Sequence, residues 1–227
     1  MSGRGAGAAA GLTVAMVLLG SLAAAAEMTT AKPGEVVIEP APVPITVDGR
    51  LDEWSGRGSR WAVLAYDQLH LYLAVEVAGG RPKVDDDQSR DFAGSDRIVL
   101  LVSRDPDGEA GTNHLLGEED FAFVFLPDSR YQRPLKTVYG FGGFEHVGLD
   151  LRQVAIAAVN TPGGYTLEVR IPWGCLGVTP HPGQLLGLEV VAFDVNPGSS
   201  PRVTTLSGQP LGAGIGRHLL RPAALGG

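Results

Sequence analysis

Two acidic loops are the parts of this sequence whose residue types and spacing could hold a metal ion. The first runs from Asp85 to Asp87, and the second contains Asp105 and Asp107 with one residue between them. Calcium binds several carboxylate and carbonyl oxygens at once, so either loop could supply ligands for it. Neither loop has the full twelve-residue pattern of an EF-hand. A structural calcium ion and a solvated acidic turn are therefore both open for each loop.

The sequence lacks the short motifs that mark common catalytic sites. It contains no G-x-S-x-G, H-E-x-x-H, Walker A or G-x-G-x-x-G fingerprint. A glycosidase needs two carboxylates about 5 to 10 Å apart across a cleft, and sequence alone pairs none of the acidic residues. The sequence motifs therefore give catalysis little support.

The charge composition excludes two classes of partner. The chain has 18 Lys and Arg against 25 Asp and Glu, which gives a net charge of -7, and it has no basic run. Nucleic-acid binding needs clustered positive charge, so no nucleic-acid partner is expected. The same balance argues against adhesion to an anionic membrane surface.

The N-terminus has the features of a secretory signal peptide over residues 1–26. A positive charge at Arg4 precedes a stretch rich in Ala, Leu and Val, and three alanines occupy positions 24–26. An uncleaved anchor is the alternative, because the apolar run approaches the ~20 residues that span a bilayer. Cleavage before Glu27 is the favoured interpretation. It predicts a secreted or periplasmic protein with no stable membrane insertion.

A single domain is expected after this leader. Residues 27–44 are rich in proline and are interpreted as a linker or lead-in with one short strand at 35–38. The domain itself is predicted over residues 45–222, a size common for all-β domains. Cys175 is the only cysteine, which excludes an intramolecular disulfide.

Alternating apolar residues between turns rich in glycine and proline predict a strand-rich fold. Hairpin turns are predicted at 67–68 and 161–164, and one helical turn at 172–177. With no long amphipathic helix, the pattern predicts an all-β fold, an antiparallel β-sandwich of the jelly-roll or immunoglobulin-like type. The predicted strands are 61–66, 69–77, 96–103, 121–126, 153–160, 165–171 and 185–195, with 216–221 as a segment that could close the sheet.

The alternation also predicts which side chains face the core, because neighbouring strand residues point to opposite faces. In the strand 165–171, Glu168 and Arg170 are predicted to face outward. Trp54 and Trp173 are expected to pack in the core, since large aromatic side chains are normally buried. Three aromatic side chains are predicted to share one face of their strand: Phe121, Phe123 and Phe125.

Four blocks of the sequence stand in an order and spacing found in a known protein family. They are ITVDGRLDEW at 45–54, AYDQLHLYLAVEV at 65–77, SDRIVL at 95–100 and GYTLEVRIPW at 164–173. Together they resemble family 9 carbohydrate-binding modules, and the resemblance runs from residue 45 to about residue 220. It implies a β-sandwich that binds a polysaccharide or oligosaccharide. It also implies a link to carbohydrate catabolism, because such modules are commonly parts of xylanases.

The resemblance further implies a sugar site in which two aromatic rings sandwich the sugar while charged and amide side chains bind its hydroxyls. The loop before the strand 96–103 offers Phe92 as the first ring, with Arg97 close to it. Asp194 and Asn196 stand at the end of the last long strand, where the family places amide contacts. A tight turn opened by this last pair is the alternative interpretation.

Two positions depart from the family's pattern. The second ring should come from a late loop, but residues 203–216 contain no aromatic side chain. Val99 stands where the family usually has an acidic residue. These departures support a second hypothesis, a β-sandwich that has lost the sugar clamp and acts as an envelope structural or protein-interaction domain.

A haem-binding electron-transfer domain is a third hypothesis, because some exported relatives with a similar sandwich carry b-type haem. Axial ligation of haem uses Met or His. Met1, Met16 and Met28 all lie in or beside the leader, and the five histidines are isolated from one another. Haem is therefore disfavoured. The leading hypothesis is an exported, non-catalytic module that binds carbohydrate.

Overall fold

The fold is built almost entirely from β-strands. The computed structural model describes residues 36–54, 61–84, 92, 94–106, 116–128, 133–139, 149–195, 200–212 and 214–226. The strands are β1 (Val36–Pro40), β2 (Ala62–Tyr66), β3 (His70–Ala78), β4 (Arg97–Ser103), β5 (Asp120–Leu126), β6 (Leu135–Tyr139), β7 (Ala155–Thr161), β8 (Gly164–Pro172), β9 (Leu185–Asp194), β10 (Arg202–Thr205) and β11 (Arg221–Leu225). Helical structure is limited to single turns at Asp52–Trp54, Leu151–Gln153, Trp173–Leu176 and Arg217–Leu219. Within these described ranges, no helix is long and apolar enough to cross a membrane.

The strands form two facing layers. In the first layer, sheet A, the order is β6, β5, β4, β9 and β11, and β10 lies beside β11 along the same edge of β9. In the second layer, sheet B, the order is β2, β3, β8 and β7. The pairings of the described strands within each layer are antiparallel. The predicted antiparallel β-sandwich is therefore confirmed.

The first strand, β1, connects the two layers. Its residues 36–38 pair in parallel with residues 223–225 of β11, and its residues 39–40 pair in parallel with residues 65–66 of β2. A short strand was predicted within the proline-rich lead-in, and the structure builds it into both sheets. The connection turns the two layers into one nearly closed sheet.

The core lies between the inner faces of the two sheets. Phe121, Phe123 and Phe125 all belong to it, and each is almost fully buried, as their alternation predicted. Burial of each large apolar side chain stabilises the fold by about 1.5–3 kcal/mol. Trp173 is also buried in this core, and its indole Nε1 donates to the carbonyl oxygen of Asp67 at 2.8 Å. The prediction that Trp173 packs in the core is therefore confirmed.

The segment 41–54 covers the outer face of sheet B, so Glu168 lies on the outer face as predicted but is not in contact with solvent. Ile45 and Trp54 of this segment pack against alanines and a tyrosine of β2 and β3. Glu168 is 0% exposed beneath the cover. Strand alternation gives the face on which a side chain lies, but it does not show whether another segment covers that face.

Glu168 is the hydrogen-bond acceptor that fixes this cover. Its Oε2 accepts from the backbone N–H groups of Asp48 at 3.0 Å and Gly49 at 2.8 Å. Its Oε1 accepts from Trp54 Nε1 at 2.7 Å. Burial raises the pKa of Glu168, although these three hydrogen bonds act in the opposite direction. Two of the sequence blocks, 45–54 and 164–173, are therefore joined through one carboxylate.

The two predicted hairpin turns have different outcomes. Thr161 pairs with Gly164, so the turn at 161–164 is confirmed. In the β2–β3 hairpin, the backbone N–H of Asp67 donates to the carbonyl of His70, so the two loop residues are 68 and 69 rather than 67 and 68. The shift arises because Asp67 Oδ1 accepts from the N–H groups of Leu69 and His70, both at 2.7 Å. Leu69 is consequently 68% exposed.

The end of the chain also differs from the prediction. Residues 217–219 form a single 3-10 turn, and the strand that closes sheet A is β11, four to five residues later than predicted. The strands β6 and β10 were not predicted. Both are short and carry polar residues, so their sequences give little alternation to detect. The helical turn Trp173–Leu176 lies within the predicted range and is confirmed.

Candidate functional site

The candidate site begins with Phe92, just before β4. Phe92 is half-buried and has a φ angle of 51°, the one positive φ value among the non-glycine residues of the described ranges. Its ring packs against the apolar cluster on the outer face of sheet A. Its carbonyl oxygen accepts a hydrogen bond from the backbone N–H of Ser95 at 3.0 Å, which fixes the loop that leads into β4.

Arg97, the first residue of β4, extends this site. Its guanidinium carbon lies 3.9 Å from the centre of the Phe193 ring, a cation–π contact. Its Nη1 donates to the carbonyl oxygens of Phe92 at 3.2 Å and Ser95 at 3.3 Å. We call Phe92, Arg97 and Phe193 the rim of sheet A. The antiparallel register places Arg97 directly opposite Phe193, which brings the rim together.

Phe193 is a site residue that the sequence did not indicate. Arg97 and Phe92 are close in sequence, whereas Phe193 comes from β9 and reaches them only through the β4–β9 register. Its neighbour Asp194 faces the other way, because adjacent strand residues point to opposite faces. No sequence signal could have given that register, since several strands carry similar alternation.

The centre of the outer face of sheet A is apolar. Val99, where the resemblance implies an acidic residue, is buried beside Val191. Leu211 and Ile215 pack over this cluster from the late loop. Hydroxyl groups of a ligand need hydrogen-bond partners, so this centre does not suit them. Polar contacts on this side are therefore offered at the rim.

Asp194 lies apart from the rim, at the end of the sandwich where the two sheets meet. Its Oδ2 is 3.8 Å from the position that a Cβ on Gly79 would take. Its charge acts on Asp96 and on the buried hydroxyl of Tyr165. Burial raises the pKa of Tyr165, and the two carboxylates raise it further. Asn196, the other residue predicted beside Asp194, lies outside the described residues.

Asp96 holds the loops around the rim in position. Its Oδ1 accepts from the backbone N–H of Val195 at 2.7 Å, and its Oδ2 accepts from that of Lys83 at 2.9 Å. Burial raises the pKa of Asp96, and the charge of Asp194 adds to this effect. One buried carboxylate thus fixes both the segment that contains Lys83 and the end of β9 to the start of β4.

The described residues do not fit the predicted calcium site at Asp105. The Nη2 of Arg217 donates to the carbonyl oxygen of Asp105 at 2.5 Å and lies 3.9 Å from its Oδ2. A guanidinium at that distance repels a second cation. Across the described ranges, no group of three or more His, Cys, Asp or Glu could hold a metal ion. Asp85, Asp87 and Asp107 lie outside those ranges.

Two solved structures share this architecture. A family 9 carbohydrate-binding module from Caldicellulosiruptor kristjanssonii in complex with cellotriose superposes with a TM-score of 0.60 at 15% identity and covers 85% of this chain and 94% of that chain. A family 9 module from the same organism in complex with glucose gives a TM-score of 0.59 at 16% identity and covers 84% of this chain and 96% of that chain. At these identities the likeness establishes the fold, a β-sandwich of the kind found in carbohydrate-binding modules.

The family follows from the sequence itself. The family model described as "Carbohydrate family 9 binding domain-like" matches residues 48–209, well over half of the chain. The chain therefore belongs to the family 9 carbohydrate-binding-domain-like proteins. Among curated proteins, no match was found.

Proposed function

We propose that this chain is a non-catalytic carbohydrate-binding module whose contact surface is the rim of sheet A. The proposal is carried by Arg97, whose guanidinium lies on the Phe193 ring beside the half-buried Phe92. A sugar has apolar C–H faces and polar hydroxyls, so an aromatic side chain next to fixed N–H donors suits both. Family membership and the solved modules with bound cellotriose and glucose support a carbohydrate ligand.

The rim offers a shallow surface. Phe193 is only 6% exposed, so Phe92 and the outer side of the Arg97 guanidinium provide most of the accessible contact. A ligand that is covered on one side loses less water-exposed surface than one held between two rings. We expect dissociation constants on the order of 0.1–1 mM for a short oligosaccharide.

Calorimetric titration with cello-oligosaccharides and xylo-oligosaccharides tests this surface. Phe92→Ala and Arg97→Gln are each expected to weaken binding by about tenfold, because each removes one of the two kinds of contact. Leu185→Ala is the control, since Leu185 is 43% exposed at the opposite end of β9. Binding that is equally strong in all three variants would show that the sugar binds elsewhere.

The apolar centre of sheet A supports a second candidate, a sandwich that has lost sugar binding and acts as a structural or protein-interaction domain. Val99 and Val191 replace polar contacts there, and Leu211 and Ile215 fill the space above them. The same titrations separate the two candidates. If the unaltered protein binds no glycan in a broad panel, the structural or protein-interaction role is supported.

We also propose that the protein is exported. The charge at Arg4, the apolar run after it and the alanines at 24–26 support a cleaved signal peptide. N-terminal sequencing of the protein from the medium or the periplasm is expected to begin at Glu27. Recovery of exported protein that begins at Met1 would contradict cleavage.

A further inference from the structure

Arg170 is a partly buried cation for which the described residues provide no hydrogen-bond partner. It lies on the outer face of sheet B, directly opposite Tyr72 in the register between β3 and β8. Its Nε atom is buried and has no hydrogen-bond partner. In the described part of the chain, its guanidinium forms neither an ion pair nor a hydrogen bond. A buried N–H donor without an acceptor destabilises the folded state, so the Nε–H of Arg170 calls for an acceptor group.

A cluster of hydrogen-bonding groups surrounds the hydroxyl of Tyr72, the residue opposite Arg170. The hydroxyl of Tyr72 donates to Asp67 Oδ2 at 2.7 Å and lies 3.4 Å from His70 Nδ1. The side chain of Asp67 is 42% exposed and that of His70 is 22% exposed. Burial alone would raise the pKa of Asp67, but the hydrogen bonds that it accepts, chiefly from Tyr72, lower it on balance. Asp67 is therefore an ionised, accessible acceptor that is hydrogen-bonded to Tyr72, the residue opposite Arg170.

The described neighbours of Arg170 on the outer face of sheet B are small side chains or are turned to the cover. On its other side, β7 places Ala155 directly opposite Arg170, and this small residue is partly exposed. The cover formed by residues 41–54 packs on Tyr72 and on the alanines of β2 and β3. The carboxylate of Glu168, two residues before Arg170, is turned to the cover and bound there by Trp54 and the backbone of residues 48–49. It is therefore not available to neutralise Arg170.

We propose that Arg170, His70 and Asp67 form a second carbohydrate site, which takes an acidic sugar. The carboxylate of a uronic acid pairs with the Arg170 guanidinium through two parallel N–H···O bonds. The exposed oxygens of Asp67 accept hydrogen bonds from ring hydroxyls, and His70 provides a further polar contact. A dianion such as phosphate suits the site less well, because Asp67 repels added negative charge. The site is separate from the rim of sheet A, and its failure would leave the rim proposal untouched.

Titration followed by NMR of the arginine Nε–H groups tests this site, with galacturonate and galactose as ligands that differ at one carbon. We expect galacturonate to shift the Arg170 Nε–H signal and to bind about tenfold more tightly than galactose at low salt. Arg170→Gln is expected to abolish this preference, and Arg170→Lys to retain part of it. Arg50→Gln, which removes an exposed arginine, and Phe92→Ala, which alters the rim, are expected to keep it.

Four results would overturn the proposal. They are an absence of galacturonate binding, equal binding of the two sugars, a preference that survives in folded Arg170→Gln protein, and binding of inorganic phosphate as tight as that of galacturonate. The last would assign a general anion site instead of a sugar site. Thermal unfolding of each variant, with and without galacturonate, checks that the fold is kept. Stabilisation by galacturonate is expected in the unaltered protein and not in Arg170→Gln.

Discussion

Replacing Glu168 with alanine is expected to lower the free energy of unfolding by about 3–5 kcal/mol. The change removes the acceptor for three donors: the backbone N–H groups of Asp48 and Gly49 and the indole N–H of Trp54. Each donor left buried without a partner costs about 1–3 kcal/mol. The cover over sheet B loses its anchor at the same time. Urea denaturation at neutral pH measures the loss.

Two further variants make the Glu168 result specific. Glu76→Ala is the matched control, because Glu76 lies on the same face of sheet B but is exposed, and it is expected to change stability by less than about 0.5 kcal/mol. Glu168→Gln keeps one acceptor oxygen and is expected to fall between the two. If Glu168→Ala is no less stable than Glu76→Ala, the carboxylate does not fix the cover.

Replacing Asp120 with alanine is expected to cost about 3–5 kcal/mol of stability, because it removes the buried carboxylate that pairs with Arg217. Asp120 Oδ1 lies 2.7 Å from Arg217 Nη1, and the two side chains are 1% and 11% exposed. Asp120 Oδ2 also accepts from the backbone N–H of Gly117 at 2.6 Å. Through Arg217, the pair joins the start of β5 to the 3-10 turn before β11. Differential scanning calorimetry gives the size of the effect.

A neighbouring ion pair provides the control for Asp120. Glu119 Oε2 lies 2.6 Å from Arg104 Nε, but these side chains are 48% and 34% exposed. Water screens such a pair, so Glu119→Gln is expected to cost less than about 1 kcal/mol. Losses of similar size in Glu119→Gln and Asp120→Ala would contradict the argument that burial makes the Asp120 pair important.

Much of the fold could be predicted because the inner faces of the strands alternate strictly. The phenylalanines of β5 and the hairpin at 161–164 follow from local spacing and turn chemistry. The burial of Glu168 could not be predicted, because the segment that covers it is distant in sequence. Trp54, which donates a hydrogen bond to Glu168, lies 114 residues before it. The strands β6 and β10 were missed for a local reason, since neither has a clear alternation of apolar and polar residues.

The candidate sites show the same division between local and distant information. Phe92 and Arg97 meet because they lie five positions apart, on either side of one short loop. Phe193 joins them only through the pairing of β4 with β9. Whether the Nε of Arg170 finds an acceptor depends on the segments that pack around it, and the described ones provide none. Sequence alone gives the identity of each side chain, whereas the register of distant strands decides which of them share a surface.

The pairing of β1 with β11 has a consequence for folding. These strands are the first and the last of the described strands, so the seam between the two layers cannot be completed until residue 225 has been synthesised. Contacts between such distant segments make folding slow. A chain that lacks its last strand would leave the backbone edges of β1 and β9 open to pairing with other molecules. Truncation before residue 221 should therefore yield aggregates rather than a smaller folded domain.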